Sequence, residues 1–250
     1  MLELTHVNKT YAKGKIKAVD DFSLSVRRGE IFGFIGPNGA GKTTTIKMIM
    51  GILRPDGGTI TVDGVDIARQ PVTAKRMIGY VPDNQEIYDR LTGREYLNFI
   101  ADLYRVGKAE RQSAMEKYLA MFDIQNAVNE QIRSYSHGMK QKLMLTAALI
   151  PAPALWVLDE PLVGLDPKSA HQLKLEMRNH CNAGNTVFFS THVLEVAEKL
   201  CDRIAIIDNG RLIAVGSVEE LKQSHADGAL GGESLESVFL SLTEGEEAQQ

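Results

Sequence analysis

The segment Gly36-Pro37-Asn38-Gly39-Ala40-Gly41-Lys42-Thr43 has the spacing G-x-x-x-x-G-K-[ST]. Glycines at these places let successive backbone N–H groups point into one concavity, and a helix starting at its end adds a positive dipole end. Such a cradle suits a polyphosphate. The Lys42 ammonium supplies a point charge for the β- and γ-phosphates, and the Thr43 hydroxyl can ligate Mg²⁺. The candidate nucleotide-binding residues are therefore Gly36, Pro37, Asn38, Gly39, Ala40, Gly41, Lys42, Thr43 and the following Thr44. A second group, Asp159-Glu160, ends the apolar run Leu155-Trp156-Val157-Leu158. Alone, two acids at a strand end read as solvated surface. Beside a phosphate loop, Asp159 takes the place of a carboxylate that supports Mg²⁺. Glu160, on the opposite side of the pleat, can orient or deprotonate an attacking water.

Both groups need strands to hold them. Phe22, Leu24 and Val26 recur at period two, and Ile31 to Ile35 is a short apolar run of buried-strand type directly before the loop. Ile60 and Val62 alternate before the hairpin-type turn Asp63-Gly64. Ile78 to Val81 is another strand, ended by Pro82. From about residue 92 the period becomes helical. Thr92 and Glu95 have capping-box spacing, followed by Leu97, Ile100, Ala101 and Tyr104, and the pattern repeats at Met115, Tyr118, Leu119 and Phe122. Strands at 155–158, 186–190 and 204–207 then alternate with helices at 168–181 and from Val193, which argues a largely parallel, covered sheet. Asn209-Gly210 signals a tight hairpin.

The expected fold class is α/β, a phosphate-loop NTPase core with a mainly parallel sheet, an N-terminal antiparallel β portion and a helical subdomain. Residues 1–220 would form the nucleotide-binding domain, with the helical part at about 84–150 inserted in it. Residues 221–250 would form an extension: a polar loop at 224–233, a short helix marked by Leu235, Val238, Phe239 and Leu242, and a frayed acidic end at 244–250.

Composition removes several classes. Of 250 residues, 44% are hydrophobic and 24% charged, which argues against wholesale disorder. Lys and Arg number 28 against 32 Asp and Glu, a net charge of −4, so nothing favours a nucleic-acid partner. Cys181 and Cys201 form no close pair, which fits a reducing compartment and argues against a disulfide scaffold. The most apolar stretch, Leu143 to Leu158, is broken by Pro151 and Pro153 and is too short to span a membrane. No secretory signal is visible at the N-terminus, so a soluble cytoplasmic domain is expected.

Further segments resemble the ATP-binding cassette (ABC) family. Tyr135-Ser136-His137-Gly138-Met139-Lys140-Gln141, about twenty positions before Asp159, is similar to its signature segment. Gly164-Leu165-Asp166 looks like its D-loop, and Ser190-Thr191-His192 like its switch histidine. The resemblance runs from about Leu2 to Leu221. It implies an ATPase using ATP and Mg²⁺, with Lys42, Glu160 and His192 as catalytic residues. His192 would meet the γ-phosphate and support Glu160, and Tyr11 would stack on adenine. Ser136 and Gly138 would complete the nucleotide site of a second, identical or related cassette in a head-to-tail dimer. Asp166 would cap the next helix and signal between cassettes.

The pattern departs in three places. Asp83 stands where the family usually has Gln after its strand, with Gln85 two residues later, so Asp83 (or alternatively Gln85) would join Thr43 and Asp159 at the metal. His137 and Met139 replace a usual Gly and Gln in the signature. Gly164 stands where a small residue is usual. The groove beside the helical part would receive an integral membrane permease subunit, with the ATPase peripheral on the cytoplasmic face of the cell membrane. The end Ser234 to Leu240 looks like the tail of export-type bacterial cassettes. A transport ATPase subunit of an exporter is therefore expected. The alternative is a soluble cassette ATPase acting on the ribosome or DNA, which the single cassette and the absence of sustained heptads disfavour.

Overall fold

The computed structural model describes residues 1–84, 87–224 and 234–247. Leu2, Leu4 and Val7 bury one side of β1 (Leu2–Tyr11), and Phe22, Leu24 and Val26 one side of β2 (Ile16–Val26). A half-buried antiparallel strand requires this alternation. After β3 (Ile31–Ile35) and helix α1 (Lys42–Ile49) come β4 (Gly57–Val62) and β5 (Val65–Asp66), which complete a four-stranded antiparallel sheet of order β2-β1-β4-β5.

The second sheet has six strands. Helix α2 (Pro71–Arg76) leads to β6 (Ile78–Val81). Helices α3 (Gly93–Leu103), α4 (Lys108–Met121) and α5 (His137–Leu149) follow, then β7 (Leu155–Asp159), α6 (Pro167–Asn182) and β8 (Thr186–Thr191). Helix α7 (Leu194–Leu200), β9 (Arg203–Asp208), β10 (Arg211–Gly216), α8 (Val218–Ser224) and α9 (Leu235–Glu247) close the chain. The order is β10-β9-β3-β8-β7-β6, parallel from β9 to β6, with β10 turned back antiparallel. Every residue of β3, β7 and β8 is buried, as expected for parallel strands covered on both faces.

Phe22 and Phe34 meet edge to face at 5.8 Å between the two sheets, and Phe188 stacks on Phe32 at 5.9 Å. On the other face, Leu97, Met115 and Leu143 of the helical part share one core with Trp156, Leu158 and Phe189 of the sheet. The helical segment is thus packed into the same body as the strands that flank it in sequence. The capping box forms as read: Glu95 N donates to Thr92 Oγ1 at 3.2 Å and Thr92 N to Glu95 Oε2 at 2.8 Å.

Some elements differ from the sequence reading. Strand β1 and helix α2 are not among the elements read from the sequence. Helix α9 continues to Glu247, into the stretch read as a frayed end, and its first turn packs Leu235 and Val238 with Ala197 and Val218. Ser224 closes α8, and the rest of the loop expected at 224–233 lies outside the described residues. Among the described residues no helix is long and apolar enough to cross a membrane.

Candidate active site

The loop between β3 and α1 is wedged between two strands. A Cβ at Gly36 would lie 2.3 Å from the Ile207 carbonyl oxygen, and one at Gly41 2.3 Å from that of Ala18. Gly41 also has φ +104°, a region that side chains rarely enter. Only glycine lets the loop pass this close, and the passage fixes the start of α1. Lys42 is 8% exposed, and its ammonium donates to the Gly36 and Pro37 carbonyls at 2.6 and 3.1 Å. Burial lowers its pKa, while the Glu160 and Asp159 carboxylates oppose that shift.

An open cleft of about 200 Å³ lies above the loop. Pro37, Asn38, Gly39, Gly41, Lys42, Thr43 and Thr44 line it, joined by Asp83, Asp159, Glu160 and Ala18. The cleft therefore brings together most residues selected from sequence. Gly36 and Ala40 are buried beneath it.

Asp159 ends β7 and is 2% exposed. Burial raises its pKa, and the Asp83 and Glu160 carboxylates add to the rise; hydrogen bonds from Ser190 and Thr43 oppose it. Its Oδ2 is buried with no hydrogen-bond partner. An orphaned carboxylate oxygen beside a threonine hydroxyl is an oxygen donor set that fits Mg²⁺. Among the described residues no group of three His, Cys, Asp or Glu side chains could hold a metal alone.

Glu160 sits at φ +49°, a left-handed conformation strained for a side chain of this size. The turn throws its carboxylate out of the strand direction. Ser190, the β8 partner of Asp159 in the ladder, holds both acids. Its hydroxyl donates to Asp159 Oδ1 at 2.5 Å and accepts from Glu160 N at 3.1 Å. His192 Nδ1–H donates to Glu160 Oε1 at 3.0 Å; an ionised carboxylate can only accept, which assigns the donor.

Sequence reasoning quoted Ser190 without giving it a task, and missed Ala18. A small hydroxyl residue two positions before the histidine was the available signal for the first. Nothing local marks the second.

Besides the buried Gly36 and Ala40, five sequence-selected residues lie outside the cleft lining, among them His192, which reaches the cleft through its bond to Glu160. Tyr11 ends β1 and is exposed. Ser136 N-caps α5, accepting from Met139 N at 3.3 Å, and Gly138 follows in the first turn. Asp166 caps α6 through Ser169 N and Oγ and pairs with Lys142 at 2.7 Å, contacts that hold its carboxyl well below the usual range. Gln85 lies outside the described residues.

Residues 19–163 match the family described as ABC transporter. The linearmycin resistance ATP-binding protein of Bacillus subtilis is 38% identical over 221 residues, covering 88% of this chain and 70% of that protein. Other curated relatives run longer, and the chain spans 64% of one and 66% of another. A solved ATP-binding subunit of an ABC transporter superposes with a TM-score of 0.91 at 34% identity, over 97% of this chain and 99% of that one. A dimeric ATP-binding cassette in a post-hydrolysis state, bound to ADP and Pi, gives 0.79 at 25% identity, over 87% and 99%.

Proposed function

The chain belongs to the ABC transporter family, and we propose that it is the ATP-binding and ATP-hydrolysing subunit of an exporter, working as a cassette dimer on a separate membrane subunit. The observation that carries this reading is the junction of a phosphate cradle with Glu160, which is held on a strained turn by His192 at 3.0 Å and by Ser190. Likeness to transporter subunits favours transport over the ribosome or DNA alternative. One relative is named for resistance to linearmycin and another, of Rhizobium etli, for Nod factor export, which supports this direction.

In this reading the loop N–H groups and Lys42 bind the β- and γ-phosphates. Thr43 and Asp159, with Asp83 beside them, would hold Mg²⁺, whose charge lowers the cost of the negative charge that develops on phosphate. Glu160 accepts a proton from the attacking water as the oxygen–phosphorus bond forms and the bond to the ADP oxygen breaks. His192 fixes the Glu160 carboxylate and presents its ring to the γ-phosphate side. Tyr11 stacks on adenine. Ser136 and Gly138 face the nucleotide of the opposite cassette, head to tail, and Asp166 positions that segment. Residues 1–220 act as the ATPase unit, with the helical part at 84–150 meeting the permease at the cytoplasmic face of the membrane and 221–250 as an extension.

The test is Glu160→Gln. The amide keeps the shape of the site and loses the base. ATP binding should persist, turnover should vanish, and a dimer should accumulate in ATP on size-exclusion chromatography. Normal steady-state hydrolysis by this variant would refute the role given to Glu160.

A further inference from the structure

Two of the departures from the family pattern touch each other. His137 opens α5, and Gly164 lies in the turn that leaves Glu160. Gly164 has φ +79°, and a Cβ built there would lie 2.5 Å from His137 Cδ2 and 2.9 Å from its Nε2. The next residue closes the gap as well: a Cβ at Gly138 would lie 2.8 Å from the Gly164 carbonyl oxygen. The imidazole thus occupies the space that a side chain at 164 would need. A ring at 137 and a bare α-carbon at 164 form a matched pair.

The contact continues down α5. One turn on, the buried Gln141 Nε2 donates to the Pro161 carbonyl at 3.2 Å, and Lys142 Nζ pairs with Asp166 at 2.7 Å. Helix α5 is therefore fastened along residues 161–166, the segment that begins directly after Glu160. Within that segment, Val163 N donates back to the Glu160 carbonyl at 3.3 Å. These contacts link the first two turns of α5 to the backbone of Glu160.

We propose that His137 is a positioning residue, matched to Gly164, that ties the start of α5 to the turn carrying this chain's own Glu160. The inference rests on the function proposed above, in which the start of α5 meets the other cassette's nucleotide. In that setting the pair couples arrival of a γ-phosphate at one site to the placement of the base at the other.

The experiment compares four full-length proteins: wild type, Gly164→Ala, His137→Ala and the double variant. Phosphate release gives kcat and KM, and calorimetry gives Tm. Gly164→Ala should lower kcat by about tenfold or more with KM for ATP changed less than about threefold, because the phosphate loop is untouched. Adding His137→Ala removes the colliding ring, so the double variant should turn over faster than Gly164→Ala. The backbone strain of alanine at φ +79° is the same in both backgrounds and cancels in the cycle. Additive effects on both kcat and Tm, or a Gly164→Ala variant as active as wild type, would overturn the pairing. A wild type without hydrolysis would instead refute the proposed function. The Tm cycle would then decide the contact, with recovery supporting the pair and additivity overturning it.

Discussion

Ser190→Ala removes one hydroxyl and tests how the two acids are held. The hydroxyl donates to Asp159 at 2.5 Å and accepts from Glu160 N at 3.1 Å, inside a site where Ser190 is fully buried. The first bond reaches a charged group and contributes ~1.5–3 kcal/mol, the second ~1 kcal/mol, so the variant should lose ~2–4 kcal/mol of stability. For a chain of this size that corresponds to a fall in Tm of roughly 5–12 °C. The loss should depend on pH. Burial already raises the Asp159 pKa, and the Ser190 bond is the largest effect opposing that rise. Without the bond the folded-state pKa climbs further above its unfolded value. The added cost is absent while the carboxyl is protonated and is full once it ionises, so the deficit should be larger at pH 8 than at pH 5. A simple cavity would give the same deficit at both. Turnover should fall ~10–100-fold, since Glu160 at φ +49° loses a backbone tether. Calorimetry at two pH values with phosphate-release kinetics gives the answer. A Tm within 2 °C of wild type at both pH values, with unchanged kcat, would show that Ser190 does not organise these acids.

Two further outcomes follow from the geometry. Gly41→Ala places a Cβ 2.3 Å from the Ala18 carbonyl at φ +104°, and should weaken nucleotide binding ~100-fold or more, as read by titration with a fluorescent ATP analogue; affinity within threefold of wild type would contradict the wedge. His180 is buried against Trp156, with their ring centres 5.6 Å apart, and burial lowers its pKa. Below about pH 6.5 the unfolded chain binds a proton that the folded chain resists, so stability should fall with pH by up to ~1.4 kcal/mol per unit. His180→Gln should flatten that slope in urea unfolding between pH 7.5 and 5.5; an identical slope would assign the acid sensitivity elsewhere.

What the sequence made legible was local. The phosphate loop occupies eight consecutive positions, so its spacing could be read with no knowledge of the fold. The capping box needed only Thr92 and Glu95, and α3 starts there. Asp159-Glu160 declared itself because an apolar run ended in acids. Contacts between distant segments left no such trace. Gly41 against Ala18 depends on a strand of the other sheet, and His137 on Gly164 joins residues 27 positions apart. The loop spacing marks Gly41 but not the strand it must clear, and nothing local pairs His137 with Gly164; each requirement arises only where the two segments meet.

Strand order explains why the site is held as it is. In sequence, β7 precedes β8, and both lie far from β3. In the sheet β8 lies between β3 and β7, parallel to both. The strand bearing the phosphate loop and the strand bearing the acids are therefore not neighbours, and the gap between their ends must be bridged by the end of β8. Ser190 and His192 are the residues at that end, and each reaches across to the acids, Ser190 to both and His192 to Glu160. Phe188 and Phe189, earlier on the same strand, bury into opposite cores and fix which side each later residue faces. A one-residue slip of β8 would turn Ser190 away from Asp159 and exchange the faces of both phenylalanines. The aromatic packing on both sides of β8 thus sets the register on which the placement of Asp159 and Glu160 depends.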